Sequence, residues 1–97
     1  MKKHEIENNY ILSLIQAMLG AISNNFRAVW ITVEGEKLNI CFLLYTENNE
    51  DREEIEDIIF EFEALQGKII DITSNIIIND KTWLPPENAR MVFLKKA

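Results

Sequence analysis

Apolar residues recur at three- and four-residue steps from about Glu5 to Ile22, where Tyr10, Ile11, Leu14, Ile15, Met18, Leu19 and Ile22 share one side of a helix. With Leu12, Ala17 and Ala21 the apolar arc becomes wide, leaving only Asn9, Ser13, Gln16 and Gly20 on the polar side. Such a helix is expected to be mostly buried, and Ser23, Asn24 and Asn25 supply its stop. The period then changes to two. Phe26 to Val33 and Leu38 to Tyr45 are rich in β-branched and aromatic residues, and Glu34-Gly35-Glu36 lies between them, the pattern of a β-hairpin. Alternation assigns Val29, Ile31 and Val33, with Leu38, Ile40, Phe42 and Leu44, to a core face. The reverse face carries Trp30, Leu43 and Tyr45 and is more apolar than a solvated sheet surface needs to be.

Helical spacing returns after Asn48 and Asn49, either of which can cap a helix whose first turn is acidic. Ile55, Ile58, Ile59, Phe62 and Leu65 project to one side, and Gly67 is placed to end the run. Lys68 to Ile78 predicts a long or bent strand. Ile70, Ile72, Ile76 and Ile78 share its parity, Asp71, Thr73 and Asn75 lie on the reverse, and Ser74 and Asn75 mark a bulge or bend. Asn79 to Asn88, with Trp83 and Pro85-Pro86, suits an ordered connection anchored by the indole. Ala89 to Lys95 is the last strand, with Met91 and Phe93 opposing Val92 and Leu94.

The order helix, strand, strand, helix, strand, strand predicts one α+β domain over residues 1–97. Two helices pack on one face of a four-stranded, mainly antiparallel sheet, a permuted ferredoxin-like plan in which each strand pair forms a local hairpin.

Charge adds a feature that hydropathy alone does not give. Thr46 to Glu63 holds nine carboxylates and one arginine, and projection at about 100° per residue puts Phe60 at the centre of an arc formed by Glu53, Glu56 and Asp57. An aromatic ring surrounded by carboxylates is the composition of a recognition anchor with a steering rim, so Asp51, Glu53, Glu56, Asp57 and Phe60 form the candidate partner-binding set. The competing reading is a solvated face with Phe60 folded onto the Trp83 loop or the first helix. A net charge of -6 with scattered basic residues argues against nucleic acid and points to a basic partner.

Catalytic chemistry finds little support. The single histidine, His4, lies in a terminal stretch, and Cys41 sits between Ile40 and Phe42 as an inert small hydrophobe. These two exclude the usual zinc patterns, the acidic helix lacks the ligand spacing of a calcium loop, and Gly20, Gly35 and Gly67 form no phosphate cradle. No enzyme, metal or cofactor is therefore expected. Neither a signal peptide nor a membrane span is evident, and one cysteine fits a reducing compartment, which makes the cytoplasm the expected location.

The run LIQAMLGAISNNF, followed by the hairpin and then EDREEIEDIIFEFEALQ, resembles small acidic bacterial immunity proteins of contact-dependent growth-inhibition or colicin-like toxin systems. That resemblance implies a protein that binds a cognate toxin domain, commonly a nuclease with a basic groove, and blocks it by charge and shape. It assigns no residues. The alternative is a small regulatory or ligand-binding domain that forms a homodimer through an exposed sheet face at Trp30, Leu43 and Tyr45.

Overall fold

In the computed structural model, residues 2–96 are described; Met1 and Ala97, the ends of the expected domain, lie outside the described residues. The elements follow the expected order: α1 (Lys3–Met18), β1 (Phe26–Glu34), β2 (Lys37–Leu44), α2 (Asn49–Gln66), β3 (Asp71–Ile78) and β4 (Arg90–Leu94). The fold is α+β.

Helix α1 ends four residues before the expected Ile22. Gly20 takes a left-handed conformation with φ 78°, which a side-chain-bearing residue resists, and the amide of Ala21 closes a tight turn on the Met18 carbonyl at 3.0 Å. The stop signal was this glycine rather than the Ser-Asn-Asn run. The helix is also less buried than its apolar arc suggests. Leu14, Ala17 and Met18 enter the core, whereas Leu12, Ile15 and Leu19 face solvent.

The sheet has the order β3-β2-β1-β4 and is mixed. The pairs β1-β2 and β1-β4 are antiparallel, whereas β2 and β3 run parallel with α2 as the crossover. The second local hairpin does not form, because β3 and β4 lie on opposite edges. The connection over residues 79–89 explains why. A strand placed parallel to β2 and another placed antiparallel to β1 point the same way, so the chain must return the length of the sheet and cross it; about a dozen extended residues suffice for that.

Two irregularities in β1 and β4 override simple alternation. A register shift between Phe26 and Ala28 lets Phe26 and Val29 both enter the core under the helices, while Ala28 and Trp30 face away. A second shift, opposite Val29 and Trp30, puts Val92 and Phe93 both against that core and Met91 against the reverse cluster, so the expected opposition of Phe93 and Val92 is lost. Strand β3, where a bulge or bend was expected at Ser74 and Asn75, keeps one unbroken register.

Both helices cover the same face. Leu14 and Met18 from α1 and Ile55, Ile58 and Phe62 from α2 meet Val29, Ile31, Leu38, Ile40, Phe42 and Leu44, and Tyr10 of α1 tilts against Phe62 at 6.0 Å. Truncating a fully buried ring such as Phe62 to alanine costs about 3–5 kcal/mol. The reverse face is not exposed, as had been expected if the helices covered one side only. The 79–89 connection lies across it, and Trp83 packs on Trp30 with ring centroids 4.9 Å apart, burying Trp30 and Leu43. Tyr45 is half-buried, with the cations of Arg27 and Lys95 near its ring at 5.0 and 5.1 Å. The bulged Arg27 also donates to the carbonyls of Asn79 and Lys81, fixing the start of the connection. No helix among the described residues is long and apolar enough to cross a membrane.

Candidate partner-binding surface

Helix α2 starts where Asn48 accepts a hydrogen bond from the Asp51 amide at 3.1 Å, and it stops at Gly67, which has φ 68°. Between these caps Ile55, Ile58 and Phe62 are buried, and this anchoring fixes which residues point outward.

Asp51 does not join the outward set. It is buried and accepts from the Ser23 hydroxyl at 2.9 Å and from the Asn25 side-chain amide at 2.8 Å. Asn25 in turn donates to the Thr46 carbonyl and accepts from the Thr46 amide and hydroxyl. The carboxylate thus joins the turn after α1 to the turn before α2, and its charge is satisfied inside the domain. Nothing local separates it from the other carboxylates of the helix, because Ser23 and Asn25 lie far away in the chain.

Glu53, Glu56 and Asp57 are exposed, and Phe60 between them is 75% exposed. The ring folds neither onto the Trp83 loop, which lies on the other face of the sheet, nor onto the core. Among the described residues these carboxylates have no ion-pair partner. The one cation of the segment, Arg52, is engaged by Glu47, with a second contact from its Nη2 to Glu47 Oε2 at 2.9 Å. That hydrogen bond holds Glu47 below the usual carboxylate range and raises Arg52 further. The field at Glu53, Glu56 and Asp57 is therefore negative.

Phe60 also lines two hollows beside α2, the larger facing β3 and the smaller facing the turn before it. The larger, of about 510 Å³, is bounded by Glu56, Ile59, Phe60, Glu63, Ser74 and Ile76. The smaller, of about 310 Å³, shares Phe60 and Glu63 and continues past Ala64 to Lys68, Ile69 and Ile70. Sequence reading placed Phe60 at the surface and missed both hollows, the larger of which needs β3 in place beside α2.

Other groups with chemical potential are spoken for. Burial pushes the Cys41 thiol up, opposed by a hydrogen bond involving Asn75, so it remains protonated near neutrality. Glu7 of α1 is buried and meets Arg90 at 2.8 Å, and Arg90 also reaches Asn8, which fastens α1 to the start of β4. No metal-sized cluster of three His, Cys, Asp or Glu groups occurs among the described residues.

The surface is thus an exposed aromatic ring set among carboxylates that make no ion pair among the described residues, beside two hollows, the smaller of which is also bordered by Lys68. No curated protein matches the chain. A family model described as MafI2 immunity protein matches residues 7–97.

Proposed function

The chain belongs to the MafI2 immunity protein family, and we propose that it neutralises its cognate toxin by seating the outward face of α2 on a basic, nuclease-type toxin domain. The role is one of binding, with no catalytic step. Its main support is Phe60, whose ring is 75% exposed on a helix otherwise anchored by its apolar side. Exposing a phenylalanine costs hydration free energy that a bound partner recovers, and aromatic anchors of this kind dominate interface energetics. Glu53, Glu56 and Asp57 supply long-range attraction. A nuclease must gather phosphate groups and so presents positive potential, which this face complements.

The two contributions separate kinetically. Charge sets the encounter rate, and the buried ring sets the lifetime of the complex. The test is surface plasmon resonance against an inactivated cognate toxin domain, at several salt concentrations. Changing Glu53, Glu56 and Asp57 together to lysine is expected to slow association and flatten its salt dependence; Phe60→Ala is expected to speed dissociation about tenfold or more. Wild-type kinetics in both variants would reject α2 as the interface.

A further inference from the structure

The free edge of β3 lacks the devices that ordinarily keep a sheet edge from pairing with another chain. Its eight residues pair with β2 from Lys37↔Asp71 to Leu44↔Ile78 without a register shift, so the strand is neither short nor bulged. The segment DITSNIII contains no lysine and no proline, and it ends in β-branched residues suited to a strand. One side of this strand is bonded to β2; the other side ends the sheet.

Beside β3 lies the larger hollow, with Ser74 and Ile76 of the strand in its lining; the smaller shares Phe60 and Glu63 with it but is lined by the turn before the strand. A strand laid along β3 would present alternate side chains to one face about 7 Å apart. The larger hollow, lined by Ile59, Ser74 and Ile76, can take one such side chain; the smaller, at Lys68, Ile69 and Ile70, lies before the strand begins. Charge selects the occupant. Glu56 and Glu63 both border the larger hollow, and its Arg52 is already held by Glu47. A second copy of this chain would bring two acidic α2 helices together, whereas a basic segment would neutralise them.

We infer that the partner adds a strand to the β3 edge. The occupant is an extended segment of the cognate toxin domain, with an apolar residue in the larger hollow and a lysine or arginine against Glu56 and Glu63. This rests on the proposed function and specifies how that surface is used: main-chain hydrogen bonds along β3 supply affinity, and the larger recess beside Phe60 supplies selectivity.

The test is amide hydrogen exchange by NMR on the full chain, free and bound to an inactivated cognate toxin domain. In the free protein, amides of β3 that point to β2 exchange slowly and the outward ones quickly. In the complex the outward amides, at alternate positions over residues 71–78, should slow by about a hundredfold or more, as for amides taken into a sheet. A complex that forms while those amides keep their free rates overturns strand addition and leaves the α2 reading standing; failure to form a complex overturns both. Ser74→Trp, which fills the larger hollow, is expected to weaken binding about tenfold or more. An unchanged affinity in that variant, with its free-state amide spectrum intact, likewise overturns the inference.

Discussion

The two edges of the sheet are built to opposite standards. Strand β4 has five residues, a bulge near Val92, Pro85 and Pro86 in the connection before it, and Lys95 and Lys96 after it. Arg90 at its start is fastened to Glu7 and Asn8 of α1, and the Lys95 amide bonds back to the Arg27 carbonyl at 2.9 Å. Strand β3 is longer, regular and unguarded, and its one neighbouring helix is strongly acidic. Guarding an edge removes it from association, whereas leaving one open beside a charged helix restricts association to partners of the opposite charge. The difference teaches that recognition in this small domain is located as much by where protection stops as by which residues are conspicuous.

That contrast can be broken most strongly at the guarded edge. Trp83→Ala removes the indole that holds the 79–89 connection against Trp30, and urea unfolding should show a loss of about 3 kcal/mol, close to the cost of a core aromatic truncation. Arg90→Ala leaves the buried Glu7 carboxylate without its guanidinium and should lower stability by about 1–3 kcal/mol in the same assay. At the open edge the pattern inverts. Phe60→Ala should leave the unfolding free energy within about 0.5 kcal/mol of wild type while weakening toxin-domain binding by about 1.4 kcal/mol or more by calorimetry. The mildest change is Thr73→Lys, which gives β3 one of the guards it lacks: stability should again move by no more than about 0.5 kcal/mol, and any effect should be confined to binding.

The folding pattern was legible wherever one local rule sufficed. Periodicity located both helices and all four strands, the cap at Asn48 and the stop at Gly67 bounded α2, and helical projection put Phe60 outside. Three features were not legible because each needed a second element to be in place. Asp51 looks like any carboxylate of an acidic helix until Ser23 and Asn25, far away in the chain, converge on it. Trp30 and Leu43 read as exposed until the connection after β3 returns across them, a path fixed by strand order and not by the residues beneath. The bulges at Arg27 and Val92 each shift parity by one, and nothing in alternation announces them. The larger recess beside Phe60 belongs to the same class, since it exists only once β3 lies parallel to β2 next to α2.

The packing of Trp83 on Trp30 also decides what light can report about this molecule. These are the chain's two tryptophans, their rings 4.9 Å apart on the side of the sheet away from α2. Indole emission from this protein therefore arises from a single paired chromophore, which brightens, shifts or quenches when the strap over β1 and β2 lifts. A partner docked at Phe60, on the opposite side of the sheet, is expected to leave that signal unchanged, whereas unfolding of the far face is expected to change it.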